Sequence, residues 1–411
     1  MEHELGVVGV LIIGDGMGDR PIPELGDRTP LEAADTPNLD RLAGLGACGL
    51  MNSVGVGIRS GSDTSHLALL GYDPYKYYTG RGPYECAGID MDVRGGDVCF
   101  RCNFSTVNAD MVVLDRRAGR IERGTDQLAQ AVNMEIEGVQ CIVKESVAHR
   151  AGLILRGEGL GHRVTDVDPH GEGRIWECKA LDADSEKTAR VVNQFVRRSY
   201  EVLREHSVNR QRESAGELPA NIMLPRGVGT APHLRPFAEE HGFSGAMIVE
   251  TGLVRGIGKY AQMDVIDVEG ATGGYDTDIL AMAEAVVEAS ERHAFVLCNV
   301  KAPDLAGHDN QPERKIEAVQ MVDNLVSYVA ENLDLERALL VVTADHGTPC
   351  SVGDHSGDAV PILFSGRGVT RDDVAHFGER PCGKGLIGHI LGRDVIPLMT
   401  NMLAIQEKFG A

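Results

Sequence analysis

Ala338-Leu-Leu-Val-Val-Thr343-Ala344-Asp345-His346-Gly347 decides the reading of this chain. A short, continuous, β-branched run that ends in turn residues is the signature of a strand buried on both faces, as in a parallel sheet. Here the run stops at a carboxylate and an imidazole. Two further runs have the same form. Val7–Ile13 leads into Gly14-Asp15-Gly16, and Ala294–Val300 leads into Lys301-Ala302-Pro303-Asp304, with His308 four residues on. His355 follows shortly after the first-quoted loop. In open α/β sheets ligands bind at the carboxyl ends of the strands. Three such ends can therefore gather Asp15, Asp304, Asp345, His308, His346 and His355 at one edge of one sheet.

The 411 residues exceed one ordinary core, so two domains are expected. After the first strand comes a glycine-rich loop, then a helix over Asn38–Ala43 entered through Thr36-Pro37, which reads as a cap and a first-turn proline. The stretch 77–217 has another texture. Strand-like pieces at Asp97–Phe104, Met111–Asp115, Gln140–Lys144 and Ala151–Leu155 alternate with helical patterns at Thr125–Asn133 and from Ser185 to about His206, which predicts an α+β domain. The polar stretch Ser207–Glu217 reads as a linker. Beyond it, strands at Ala246–Glu250, near Phe295, near Leu339 and at Val360–Ser365 alternate with helices at Thr277–Ser290 and Pro312–Asn332. A terminal helix follows near Ile396–Lys408. This rhythm predicts an α/β domain with a largely parallel sheet, built from 1–76 and 218–411, with 77–217 inserted as a cap.

Composition bounds the partners. With 40 basic and 61 acidic residues the net charge is −21, which argues against nucleic-acid and anionic-membrane partners. A small phosphorylated substrate stays compatible, because local Arg, Lys and metal charge can dominate inside a cleft. No run approaches the roughly 20 apolar residues that span a bilayer, and Met-Glu-His-Glu at the start is no basic leader. The nine cysteines are scattered, as expected of reduced cytoplasmic thiols. Cys99-Phe-Arg-Cys102 is a CxxC without a partner pair in a strand-like stretch, so a structural role is expected.

Hard divalent cations favour carboxylate oxygen, and Mn²⁺ and Zn²⁺ also accept imidazole. Two such ions about 3.5–4 Å apart clamp the attacking and leaving oxygens of a phosphoryl transfer. A nucleophile is then needed. Ser62, in Ser60-Gly61-Ser62-Asp63, sits in a small-residue turn before an apolar stretch that can start a helix and favour a bound anion. Ser60, Thr64 and Ser65 are rival hydroxyls, and Ser62 or Asp63 acting as a plain helix cap is the alternative.

Taken together these segments resemble the cofactor-independent phosphoglycerate mutases, most closely their archaeal-type branch within the alkaline phosphatase superfamily. The stretches that carry the resemblance are 12–21, Thr36-Pro37-Asn38-Leu39-Asp40, 59–66, 70–74, 78–83, Phe100-Arg101-Cys102-Asn103-Phe104, Asp166-Val167-Asp168-Pro169-His170, 270–278, the two metal-bearing loops and Asp354-His355-Ser356. The resemblance implies an alkaline-phosphatase-like sheet with an inserted α+β cap. It groups Asp304, His308 and His355 as one metal site and Asp15, Asp345 and His346 as the other, with Ser62 as nucleophile and shared ligand. The implied reaction interconverts 3-phosphoglycerate and 2-phosphoglycerate through a phosphoserine, in glycolysis and gluconeogenesis, without 2,3-bisphosphoglycerate. The implied cofactors are two divalent ions, Mn²⁺ first and Zn²⁺, Co²⁺ or Mg²⁺ as alternatives. Lys259, Arg101, His170 and Arg81 are the expected substrate contacts. A homo-oligomer is compatible with this reading. The competing functions are a superfamily phosphatase, a homoserine-kinase-like phosphotransferase and a non-catalytic metal-binding protein.

Overall fold

The computed structural model describes residues 6–406, 408 and 410. The chain divides into two compact units, Met1–Tyr78 with Leu234–Ala411, and Thr79–His233.

The first unit is built on an eight-stranded sheet in the order Asp264–Ile266, Gly245–Val249, Phe295–Val300, Val8–Gly14, Ala338–Thr343, Val360–Gly366, Ala47–Asn52 and Gly388–Leu391. The first five are mutually parallel, Val360–Gly366 runs antiparallel to both neighbours, and the last two are parallel to each other. The central strand Val8–Gly14 lies between the other two ligand-bearing strands. Its Gly14 pairs with Val300 and its Ile13 with Thr343, so all three carboxyl ends finish at one level. Val10, Leu11, Ile12 and Ile13 are wholly buried, as are Leu339 to Val342, which is what continuous apolar runs require of a sheet covered on both faces.

The helix Pro312–Asn332 begins and ends where its apolar periodicity does, burying Ala318, Val319, Val322, Leu325, Val326 and Val329 on one stripe. It also supplies a cap that sequence reasoning assigns elsewhere. The helix Pro37–Leu45 receives no side-chain bond from Thr36. Instead Asp323 Oδ1 accepts from the backbone N–H groups of Asn38 (3.1 Å) and Leu39 (2.8 Å). A carboxylate from a packed helix thus satisfies the orphan donors that a local cap would otherwise meet.

The second unit is an antiparallel sheet in the order Met134–Ile136, Val139–Glu145, Arg150–Arg156, Val98–Val107, Val112–Asp115 and Gly173–Arg174, with Ile222–Thr230 also paired to Val98–Val107. The helix Glu186–Leu203 covers it through Val191, Val192, Phe195, Val196 and Leu203. The unit extends to His233 rather than ending at 217, because Ile222–Thr230 belongs to its sheet. Ser207–Glu217 is not a linker. It contains the helix Ser207–Ser214, pinned by the buried Asn209, whose amide donates to the Leu203 and Ala220 carbonyls and accepts from Ala220 N–H. Cys99 and Cys102 lie three apart on one strand and so face opposite sides. Cys99 packs with Cys86 and Ile154, Cys102 with the main core. The strand geometry rules out a shared metal for this pair, and all nine cysteines are buried free thiols.

The terminal helix is Val395–Met402. It stops at Met402, short of the expected Lys408, since residues 403–406 leave the helix; Glu407 lies outside the described residues. Among the described residues no helix is long and apolar enough to cross a membrane.

Candidate active site

The three strand ends bring the six expected ligands into two triads. Asp304, His308 and His355 have one ligand atom each within 4.8 Å of one another, and so do Asp15, Asp345 and His346. Asp15 directly follows its strand. Asp304 and His308 lie on the short helix Ala302–His308, where the i,i+4 spacing stacks them on one face. Asp345 and His346 follow Thr343, and His355 stands in the loop before Val360. His346 and His355 stack with ring centroids 3.7 Å apart. All of these side chains except His308 and His355 are fully or nearly fully buried.

Two observations show that the triads suit divalent cations. First, His308 Nδ1 is 3.0 Å from the Gly353 carbonyl and His355 Nδ1 is 2.9 Å from the Ser60 carbonyl. Each Nδ1–H therefore donates to the backbone, and each Nε2 is left as a lone-pair donor 3.5 Å from an Asp304 oxygen. Orienting an imidazole through its other nitrogen is how proteins prepare a metal ligand. Second, Asp345 Oδ2 is buried and accepts no hydrogen bond, while Oδ1 accepts from Gly16 and His346 N–H at 3.0 Å each. Burial and the neighbouring Asp15 push the Asp345 carboxyl up to about 7. This buried carboxylate oxygen and His346 Nε2, 3.2 Å away, form a pair of ligand atoms that a shared cation would satisfy.

The site also contains groups that the sequence reading did not single out. Lys301 Nζ lies 2.8 Å from Asp15 Oδ1 and 2.6 Å from Asp304 Oδ2. Burial disfavours its charge, but the two carboxylates outweigh that and raise its pKa above the ordinary lysine value. Burial likewise opposes ionisation of Asp304, yet Lys301 and the imidazoles hold its carboxyl well below the usual range. Thr348 Oγ1 donates to Asp304 Oδ1 (2.7 Å) and stands 3.2 Å from His346 Nδ1. Gly16 has φ +60°, and a Cβ there would fall 2.5 Å from Thr348 Oγ1 and 2.6 Å from Asp304 Oδ1, so only glycine fits this turn. Lys301 was hidden in a quoted motif, and Thr348 follows the Asp-His-Gly loop by one residue. Neither role has a sequence signal, because both depend on the partner loop.

Ser62 is the first residue of the helix Ser62–Leu69, whose N-cap is Gly61. Its Oγ is 3.2 Å from His346 Nε2. The rival hydroxyls are engaged elsewhere: Ser65 Oγ donates to Ser60 Oγ (2.9 Å), and Thr64 Oγ1 to the Gly61 carbonyl (3.2 Å). Asp63 does not replace Ser62 in the site, since its carboxylate accepts from Thr64 N–H and Tyr78 Oη. His66 ties this helix to the sheet. Its Nδ1 is 2.7 Å from the Ser62 carbonyl and its Nε2 is 3.2 Å from Asn299 Oδ1, while Asn299 Nδ2 donates to Asp15 Oδ2 (3.1 Å). The hydroxyl therefore sits at a helix N-terminus, where a bound anion is favoured, and is held in register with Asp15.

The expected substrate contacts are divided between the units. Lys259 lies in the last turn of Gly252–Tyr260, a helix that packs on Ser62–Leu69. Arg81, Arg101 and His170 belong to the second unit. There Arg101 pairs in register with Arg226 across two strands, and both are largely buried with Nε unbonded. Desolvation, and the other arginines around it, push the Arg101 guanidinium well below its usual pKa. Arg81 Nε donates to Glu85 Oε1 (2.8 Å), His170 Nε2 is 3.0 Å from Asp166 Oδ2, and His170 Nδ1 is 3.3 Å from Arg226 Nη1. Arg226 is the member that sequence reading missed, lying in a Pro- and Gly-containing stretch. Glu85, 3.5 Å from Arg101 Nη1, and the buried Asp168, 3.7 Å from Arg226 Nε, face these guanidinium groups.

Comparison with known proteins agrees in both sequence and fold. The profile of a family described as 2,3-bisphosphoglycerate-independent phosphoglycerate mutase matches residues 43–209, and that of type I phosphodiesterase / nucleotide pyrophosphatase matches 183–358. The chain is 49% identical over 411 residues to the 2,3-bisphosphoglycerate-independent phosphoglycerate mutase of Methanosphaera stadtmanae, covering 98% of this chain and 100% of the relative. It is 50% identical, with the same coverage, to 2,3-bisphosphoglycerate-independent phosphoglycerate mutase 1 of Methanothermobacter thermautotrophicus. Among solved structures, the PH0037 protein of Pyrococcus horikoshii aligns with TM-score 0.87 at 37% identity over 98% of this chain and 99% of that one. The cofactor-independent phosphoglycerate mutase of Thermoplasma acidophilum aligns with TM-score 0.69 at 35% identity over 97% and 100%.

Proposed function

This chain belongs to the 2,3-bisphosphoglycerate-independent phosphoglycerate mutases, and we propose that it interconverts 3-phosphoglycerate and 2-phosphoglycerate through a phosphoserine at Ser62. The observation that carries the reading is the placement of Ser62 Oγ beside His346, at a helix N-terminus, with two carboxylate–imidazole triads on adjoining strand ends. Asp304, His308 and His355 would hold one divalent ion, and Asp15, Asp345 and His346 the other, with Ser62 Oγ as a shared ligand; Mn²⁺ is the expected metal. When bound, such ions supply Lewis acidity at the phosphoryl oxygens and make the serine hydroxyl easier to ionise.

The remaining chemistry belongs to the chain. Ser62 Oγ gives up its proton and bonds to the phosphorus of 3-phosphoglycerate as the bond to the 3-oxygen breaks; that oxygen takes up a proton, and Ser62 recovers one when it leaves in the second step. The glycerate 2-hydroxyl then loses its proton, attacks the phosphoserine and releases Ser62. The phosphoryl group leaves and returns through Ser62 itself, so this route needs no 2,3-bisphosphoglycerate. Lys259 is assigned to the phosphate. Arg81, Arg101 and Arg226 are assigned to the anionic groups of the glycerate, and His170 to moving the hydroxyl proton. The second unit, inserted between the two segments of the first, takes the role of substrate-binding cap. The setting of such an enzyme is the cytoplasm, in glycolysis and gluconeogenesis.

The test is to supply 3-phosphoglycerate with Mn²⁺ and measure both 2-phosphoglycerate and free phosphate. The reading predicts 2-phosphoglycerate with little phosphate. Phosphate alone would assign the site to a hydrolase.

A further inference from the structure

Lys301 stands at the seam between the two triads. Its ammonium is within charge-assisted hydrogen-bond distance of Asp15 Oδ1 (2.8 Å) and Asp304 Oδ2 (2.6 Å), one carboxylate from each triad. Its backbone is fixed as well. Lys301 N–H donates to Glu250 Oε2 (2.7 Å), and the other oxygen of that carboxylate accepts from Gly273 N–H and Thr277 Oγ1. The side chain is mostly enclosed, at 17% exposure. Asp15, Asp304 and Asp345 are all buried, so the charge their carboxylates carry is poorly screened by water and needs a positive partner inside the site. An ammonium on oxygens that a cation also needs acts as both stabiliser and competitor.

We propose that Lys301 is the internal counter-cation of this site: it holds Asp15 and Asp304 in place when the metals are absent, and it sets metal affinity by competing for the same two oxygens. The inference rests on the reading of the triads as metal ligands.

The experiment compares chelator-stripped wild type with Lys301→Met, which keeps the bulk of the side chain, and Lys301→Gln, which keeps a donor without the charge. Mn²⁺ binding is measured by calorimetry, and thermal unfolding is measured with and without Mn²⁺. Both variants should bind Mn²⁺ more tightly, by about tenfold or more, the scale on which groups touching metal ligands act. Their metal-free forms should unfold at lower temperature than metal-free wild type, with the gap narrowing once Mn²⁺ is added. Unchanged or weaker affinity in Lys301→Met overturns the proposal, and so does wild-type affinity in Lys301→Gln beside tight binding in Lys301→Met. If a variant folds only with metal, Mn²⁺ release from the loaded protein to excess chelator replaces the titration. Slower release supports the proposal; equal or faster release overturns it. A wild type that binds no Mn²⁺ would instead overturn the assignment of the triads, and this inference with it.

Discussion

Lys315 Nζ lies 2.8 Å from Asp19 Oδ2, and both side chains are wholly buried. The same ammonium donates to the carbonyls of Gly18 (3.0 Å) and Thr348 (2.8 Å), and Asp19 accepts from Cys350 N–H. One ion pair on the helix Pro312–Asn332 thus joins the loop after Asp15 to the loop after Asp345. Removing one partner of a buried pair strands the other charge, at a cost of about 3–5 kcal/mol. Lys315→Met is therefore expected to lose that much in urea unfolding, and Lys315→Met combined with Asp19→Asn to regain part of it.

Thr348 offers a milder perturbation of the same region. Its hydroxyl donates to Asp304 Oδ1 and also stands 3.2 Å from His346 Nδ1. Thr348→Val keeps the shape and deletes those bonds. Metal affinity should fall by about 10–100-fold, the usual effect of losing a group that orients ligands. Far-ultraviolet circular dichroism should stay unchanged.

Gly16 tests the turn itself. Gly16→Ala would place a methyl group against Thr348 Oγ1 and Asp304 Oδ1 in a left-handed backbone. Mutase turnover should drop by about two orders of magnitude, as expected when reacting groups are displaced by an ångström. Steady-state assays at saturating Mn²⁺ check this.

Glu379 gives a pH signature. Burial pushes its carboxyl up to about 7, although Thr29 Oγ1 and Asp19 N–H donate to it. A carboxyl whose folded pKa exceeds the unfolded value of 4.5 favours the folded state while protonated. Above 4.5 the unfolded chain sheds its proton first, so stability falls as pH rises and levels off beyond about 7. The size is on the order of 3 kcal/mol. Glu379→Gln should abolish this component: between pH 4.5 and 7.5 the variant should gain stability relative to wild type, measured by urea unfolding at both values.

The parts visible in sequence were those written locally. The ligand-bearing strands announced themselves because Val8–Gly14, Phe295–Val300 and Ala338–Thr343 are apolar throughout, and each ends in its own metal-type residue. Ala47–Asn52, with Gly49 in the middle and no β-branched residue, did not read as a strand; it is one only because it pairs with Val360–Gly366 and Gly388–Leu391. Ile222–Thr230 carries Pro225, Gly227 and Gly229, which read as loop. Pairing to Val98–Val107 overrides them and moves the unit boundary. Ser207–Ser214 is polar apart from Val208, and the buried Asn209 together with the His206 cap fixes it as a helix. In the candidate site, the six expected ligands and Ser62 stand out from motif and spacing, and the fold gathers the six into two triads. Lys301, Thr348, Lys315 and Arg226 do not stand out, because their roles arise from residues far away in the chain.

The most direct test of the account is 2-phosphoglycerate formation from 3-phosphoglycerate by Ser62→Ala loaded with Mn²⁺. The account predicts turnover at background in a folded protein that still binds the metal, since Ser60, Thr64 and Ser65 bond to one another or to the backbone while Ser62 Oγ stands beside His346. Substantial residual mutase activity would contradict it and place the phosphoryl acceptor elsewhere.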